Sequence, residues 1–259
     1  ECWENRKMNQ LYCVSFSPTG TSKRAAWQIA EALDCEKTAV DLCETAGREI
    51  WAEQKDVGIF SVPCYGGRIP QTAAKRISRL HGDETPAIVC VTFGNRAFED
   101  ALLELADCVE ANGFRVIAGC AVSAEHNIMH VFGHGRPDDL DRADIQRFST
   151  QAVQKRKDGK MNRPSLPGNH PYKEIHLART AVLVDEKTCT GCGFCAQECP
   201  VQAISADGRQ TDEQRCINCM RCIQICPKKS RSISKEFVTA LIQKLRPDCE
   251  GRKQNEFYL

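Results

Sequence analysis

The sequence predicts an α/β protein in two parts. The first is a doubly wound parallel sheet of five strands, and the second is a small α+β unit organised by cysteines rather than by an apolar core. Three observations carry this prediction. Between residues 11 and 155, apolar runs alternate with segments of helical periodicity, as in a sheet covered by helices on both faces. Residues 158–172 (DGKMNRPSLPGNHPY) hold three prolines and two glycines, which marks a semi-stiff boundary. Beyond it Cys189-x-x-Cys192-x-x-Cys195-x-x-x-Cys199-Pro200 recurs as Cys216-x-x-Cys219-x-x-Cys222-x-x-x-Cys226-Pro227.

Residues 11–16 (LYCVSF) read as the first strand, which stops at Ser17-Pro18-Thr19-Gly20-Thr21-Ser22. Residues 23–33 follow with Ala26, Ile29, Ala30 and Leu33 on one helical face. Strand, hydroxyl-rich glycine turn and helix place backbone N–H groups and hydroxyls around an anion at a helix N-terminus. The turn is neither a Walker loop nor the three-glycine dinucleotide turn. Hydroxyls in place of a lysine suit a phosphate monoester held without a metal, the group that flavin mononucleotide (FMN) carries. A plain turn with Ser or Thr capping the helix has the same composition.

Further strands are expected at 38–42, 57–62 (VGIFSV), 87–93 (AIVCVTF) and 114–122, with helices around 72–80, 97–111 and 138–155. In a doubly wound sheet the ligand sits at the carboxyl ends of the strands. Two more loops lie at those ends, Pro63-Cys64-Tyr65-Gly66-Gly67-Arg68-Ile69-Pro70 and Thr92-Phe93-Gly94-Asn95-Arg96. Glycines let the backbone approach a planar ring, Tyr65 can stack on one face of it, and Asn95 can reach a polar, pyrimidine-like edge. An ordinary Gly-Gly turn with a rim aromatic is the bland alternative. After the fifth strand come Glu125, His126, His130 and His134. In a helix the histidines would share a face and hold a divalent metal, but Gly133, Gly135 and Pro137 point to a loop in which they satisfy local hydrogen bonds. Asp138 or Asp139 is expected to cap the final helix, and the basic run 155–160 to be its solvated end.

In the second part a strand is expected at 181–184. Each C-x-x-C-x-x-C triplet wraps three thiolates around one corner of a cubane, and the Cys before Pro supplies the fourth ligand of the other cluster. Cys189, Cys192, Cys195 and Cys226 are therefore assigned to one [4Fe–4S] cluster, and Cys216, Cys219, Cys222 and Cys199 to a second. Structural zinc uses separated C-x-x-C pairs and has no need of a repeated Cys-Pro. Nine of the 17 cysteines remain, and Cys13, Cys90 and Cys120 among them lie in apolar runs as small hydrophobes. Short strands are expected at 203–205 and 210–212. A helix over 234–245 places Phe237, Leu241 and Leu245 on one face, which docks on its own protein.

A formal net charge of +1 gives no electrostatic basis for binding nucleic acid or an anionic membrane. No apolar run approaches the ~18 residues of a membrane span. Residues 1–10 are polar, so no signal peptide is expected. Clusters need reduced thiolates, which points to the cytoplasm.

On Ser17-x-Thr19-Gly20-x-Ser22 and the Tyr65-Gly66-Gly67 and Gly94-Asn95-Arg96 loops, residues 8–157 resemble a short-chain flavodoxin. Joined to the two cysteine motifs, the chain is similar to the flavodoxin-domain-bearing dicluster ferredoxins of anaerobic bacteria. The resemblance implies a flavodoxin-like domain over 1–157 with strand order 2-1-3-4-5. A linker over 158–172 and a bacterial dicluster ferredoxin-like domain over 173–259 complete the chain. It implies FMN, with phosphate on Ser17, Thr19, Gly20, Thr21 and Ser22. The ring would lie between Tyr65, Gly66 and Gly67 on one side and Phe93, Gly94 and Asn95 on the other, with Phe93 or Phe98 as the second aromatic. A chain carrying both cofactors passes single electrons between them, with unidentified donor and acceptor proteins as partners. A flavin-dependent oxidoreductase acting on a small substrate, or a flavin-free docking or redox-sensing protein, are the alternatives.

Overall fold

The computed structural model describes residues 9–175 and 179–259. Cys2 and the rest of the first eight residues of the domain expected over 1–157 lie outside them. In chain order the first part runs β1 (Gln10–Ser15), α1 (Thr21–Ala30), β2 (Glu36–Asp41), β3 (Ile50–Ala52), β4 (Val57–Pro63), α2 (Gln71–Ile77), β5 (Leu80–Gly82), β6 (Thr85–Phe93), α3 (Ala101–Glu110), β7 (Phe114–Ser123) and α4 (Asp139–Lys157). Then come β8 (Leu183–Val184), α5 (Phe194–Gln197), α6 (Arg221–Gln224), β9 (Arg231–Ser232), α7 (Lys235–Cys249) and β10 (Glu256–Tyr258).

The main sheet has the order β10-β7-β6-β4-β1-β2. Its strands β1, β2, β4, β6 and β7 are mutually parallel, so the five predicted strands lie in the order 2-1-3-4-5. Burial on both faces explains the unbroken apolar runs, since β6 is buried at every position. Side chains alternate between two cores: Phe60, Val89 and Val91 pack on the α2–α3 side, while Ile59, Ile88 and Cys90 pack with Ile29, Ile145 and Phe148 on the α1–α4 side. Cys13 and Cys120 belong to that second core.

Five features depart from the sequence reading. The sheet has six strands, because β10 pairs antiparallel with β7 through Phe257 opposite Cys120, its ring lying against Phe148. Helix α7 packs Leu241, Ile242 and Leu245 on Met129 and Phe132 of the first part. Residues 235–259 thus return to the sheet's domain rather than ending the cysteine-rich unit. The stretch 158–172 is a packed strap: Arg163 pairs with Asp107 and Glu110 along α3, Asn169 N donates to Asp100 at 3.0 Å, and Leu166 fills the space over Gly119. The strands expected at 203–205 and 210–212 reduce to one bridge between Ile204 and Thr211. The small parallel pair β3–β5 had no sequence signal, each strand being three residues long.

Arg136 ties these returning segments to the sheet. It is 4% exposed, holds both oxygens of the buried Asp141 carboxylate at 2.9 and 2.6 Å, and donates to the Lys253 carbonyl at 2.6 Å. Asp138 caps α4 with a capping box closed by Asp141. Arg136→Ala leaves the Asp141 charge to the Asp138 N–H and the more exposed Arg252 and Asn255, so it is expected to cost about 3 kcal/mol in anaerobic urea unfolding. Arg136→Lys recovers little of this, because an ammonium cannot bridge both oxygens.

Candidate functional site

The carboxyl ends of β1, β4, β6 and β7 meet the cysteine-rich unit, and the loops there define the site. Between β1 and α1, Gly20 takes φ +87° and opens the helix without a side-chain cap. Ser17 Oγ accepts the Lys23 N–H at 2.9 Å, and Ser22 Oγ shares a 2.7 Å hydrogen bond with Thr92 Oγ1. Those two buried hydroxyls brace the turn. Thr19 and Thr21, with Arg24, line a cavity of about 790 Å³ that reaches to Met220 and Ile223 of the second cysteine motif.

Tyr65, Gly66, Gly67 and Arg68 form a tight hairpin turn, closed by Tyr65 N to Arg68 O at 2.9 Å and its reciprocal at 3.3 Å. Both central residues have positive φ, +62° and +87°, which is why they are glycines. Burial, and then the thiols of Cys219 and Cys43, push the Tyr65 phenol well above its ordinary value. Beside it lies a cavity of about 510 Å³ lined by Cys64, Tyr65, Gly66, His126, Ile217 and Leu245. A smaller cavity of about 50 Å³ is lined by residues of the 17–22 turn with Tyr65, Phe93, Gly94 and His126.

The β6 loop corrects the sequence reading. Asn95 is 2% exposed and fully engaged: Nδ2 donates to the carbonyls of Cys249 and Gly251 at 2.6 and 2.7 Å, and Oδ1 accepts from Ser123 Oγ at 3.1 Å. It latches the C-terminal segment and has no donor left for a ring. Phe93 and Phe98 pack on each other in the core at 5.5 Å and present no stacking face. Gly94 is covered by His126, whose ring would lie 2.6 Å from a Cβ at that position.

His126 lines the cavity of about 510 Å³ with Cys64 and Tyr65, and its ring satisfies local hydrogen bonds as the loop reading expects. Its Nδ1 accepts from the N–H groups of Ile128 and Met129 at 3.1 and 3.2 Å, so its proton sits on Nε2. His130 and His134 instead turn to Glu125, at 2.7 and 3.2 Å. Among the described residues no three His, Cys, Asp or Glu side chains converge as a single-ion site requires. Burial, then His130 and Arg96, push His126 down to about 4. Below pH 6.5 the unfolded chain takes up a proton that the fold refuses, so stability falls as pH drops. Between pH 6.5 and 5 the loss is roughly 2 kcal/mol in urea unfolding, and His126→Gln should flatten that slope.

Neighbouring thiols act on one another across the two motifs. Burial raises the thiols of Cys216, Cys219 and Cys222, and in all three the Cys199 thiol adds to the rise. Burial raises Cys195 as well, and there Cys226 adds to it. Cys199 therefore stands with the second triplet, and Cys226 beside the first. The structure repeats itself around them, Ala203 N donating to Cys199 Sγ and Ser230 N to Cys226 Sγ, each at 3.3 Å. Cys192 is exposed, whereas Cys219 is buried.

Residues 188–230 match the family model of the 4Fe-4S dicluster domain. This segment is a dicluster domain. The chain is also similar to oxidised flavodoxin 1 from Bacillus cereus, at 17% identity and TM-score 0.40 over 56% of this chain and 98% of that one. It is similar to the rubredoxin oxygen:oxidoreductase of the anaerobe Desulfovibrio gigas, at 14% identity and TM-score 0.43, covering 59% of this chain and 37% of that one. A WrbA-like flavodoxin from Agrobacterium tumefaciens matches at 14% identity and TM-score 0.39, over 58% of this chain and 99% of that one. No curated protein matches the chain. The doubly wound fold of the first domain rests on its own strand order and register. Among the described residues no helix is long and apolar enough to cross a membrane.

Proposed function

We propose that the protein is an electron-transfer iron–sulfur flavoprotein, passing single electrons between two [4Fe–4S] clusters and FMN. Cys189, Cys192, Cys195 and Cys226 hold the first cluster, and Cys216, Cys219, Cys222 and Cys199 the second. The carrying observation is the seating of the second cysteine motif on the loops of the first domain. Arg221 reaches the Pro18 carbonyl at 3.5 Å, Gln224 the Thr19 carbonyl at 3.3 Å, and Tyr65 shares a cavity wall with Ile217 and Asn218 of the second motif. When bound, FMN supplies one- or two-electron chemistry beside carriers of one electron each.

The residues fit such a group at both ends. Thr19, Gly20 and Thr21 at the start of α1, with the Arg24 charge nearby, suit a phosphate monoester. Tyr65 and Gly66, together with Ile217 and Leu245, line a space within the 300–1,000 Å³ or so of ordinary ligand sites. His126, neutral and with its proton on Nε2, also lines it. Exposed Cys192 makes the first cluster the outward one, where a redox partner protein exchanges electrons, and the second cluster relays them inward. Reduced thiolates place this work in a cytoplasm-like compartment.

Anaerobic purification with iron, sulfide and flavin quantitation tests the reading. The expected content is about eight irons, eight sulfides and one FMN per chain. Eight irons with no flavin, even after incubation with FMN, would leave the first domain with another task. A second reading, reduction of a small substrate at the flavin, is favoured by the roomy cavity that Thr19, Thr21, Met220 and Ile223 line. Steady-state turnover of quinones or nitro compounds separates the two.

A further inference from the structure

The two halves of the dicluster domain are copies, and the repeat extends beyond the cysteines. Four residues after each Cys-Pro cysteine, a backbone N–H donates to that cysteine's sulfur at the same 3.3 Å. One position further on the copies part company: the first half carries Ile204 and the second Arg231. Ile204 is what a small core ordinarily uses. Arg231 is 3% exposed, and no carboxylate among the described residues pairs with it. Its Nη1 donates to the Gly208 carbonyl and its Nη2 to Thr211 Oγ1, while Nε has no partner.

A buried guanidinium without a carboxylate is costly unless other negative charge faces it. What faces this one is sulfur. Nη1 stands 3.7 Å from Cys195 Sγ, and the same positive charge acts on the Cys222 thiol and pulls it down against its burial. Cys195 belongs to the first quartet and Cys222 to the second. One cation therefore lies between the two thiolate sets, at the place where the mate copy has a methyl-bearing side chain.

We propose that Arg231 is a redox-tuning residue shared by both clusters: its guanidinium donates an N–H···S hydrogen bond to Cys195, holds its positive charge near Cys222, and raises the reduction potential of each cluster. A cluster with four thiolates gains one negative charge on reduction, so a fixed cation and N–H donors at its sulfurs favour the reduced form. The inference rests on the proposed ligation of two clusters by the eight motif cysteines.

The test is EPR-monitored potentiometry of the full chain, run on Arg231→Gln and Arg231→Lys after iron and sulfide have been counted. With loading unchanged, both clusters of Arg231→Gln should become harder to reduce by tenfold or more, about 59 mV for a one-electron couple. Arg231→Lys keeps the charge but not the planar fork, so it should shift both by less. Thr211→Val loosens the brace without touching a sulfur and should leave both potentials in place. Unchanged potentials in Arg231→Gln, or a shift at one cluster alone, overturn the proposal. A wild type lacking about eight irons instead overturns the ligation beneath it. Should neither Arg231 variant load, wild type labelled with guanidino-15N arginine decides. Nitrogen coupling to both reduced clusters supports the shared role, and its absence from either one defeats it.

Discussion

Cys199→Ala is expected to remove the second cluster and spare the first, although Cys199 sits in the first motif. About four irons should be lost, and the EPR signal that survives should be that of the cluster held by Cys189, Cys192, Cys195 and Cys226. The reason is spatial: the Cys199 thiol acts on those of Cys216, Cys219 and Cys222 and raises each of them. Cys226→Ala should do the reverse. There burial is outweighed by the backbone N–H groups of Ser230, Lys228 and Arg231, which hold the Cys226 thiol below its ordinary value, as a ligand that must be a thiolate requires. Loss of the first cluster with retention of the second in Cys199→Ala would overturn the crossed ligation. The C-terminal half of the domain would then have to be rebuilt around another fourth ligand.

The sheet was legible where burial on both faces forces an unbroken apolar run, as in β4 and β6, and where a helix carries its own punctuation, as α4 does with Asp138. The cysteine spacing was legible because a cubane dictates its ligands' separation. What escaped the sequence is non-local. β10 is three residues at an edge, too short to show alternation, and its partner β7 lies more than a hundred residues earlier. Asn95 follows a strand in a glycine-bearing loop and so reads as a ligand contact. Its amide is claimed by carbonyls 154 and 156 residues downstream, a pairing no local pattern announces. Phe93 failed as a ring partner for the opposite reason, because the last inward position of a buried strand belongs to the core.

The returning C-terminus bears on electron transfer as well as on stability. The dicluster domain is tethered at both ends to the same sheet, by the strap along α3 and by α7 with β10. Arg76 adds a direct clamp, donating to the carbonyls of Leu42 and Pro200 at 2.6 Å each. A domain held by two covalent tethers and an arginine clamp has little freedom to swing away. The second cysteine motif is therefore kept beside the Pro18 and Thr19 carbonyls rather than meeting them by chance encounter.

Gly20→Val should cut flavin retention at least tenfold while leaving the iron content intact. Two effects act together. Position 20 has φ +87°, a conformation that costs a β-branched residue roughly 1–2 kcal/mol, and the strain falls on the turn that aims the first N–H groups of α1. A side chain built there meets nothing within 4 Å, so its methyls project into the open space before the turn, where an anion at the helix N-terminus would sit. Gly20→Asn separates the two, because Asn tolerates the left-handed backbone but still fills the space. If occlusion dominates, Asn releases flavin nearly as fully as Val, and if strain dominates it holds flavin like the wild type. Nothing in the dicluster domain contacts residue 20 through a side chain it would lose, so cluster EPR should not move in either variant. Full FMN occupancy in Gly20→Val, read from the flavin absorbance of the anaerobic protein, would mean that the phosphate is held elsewhere than on residues 17–22.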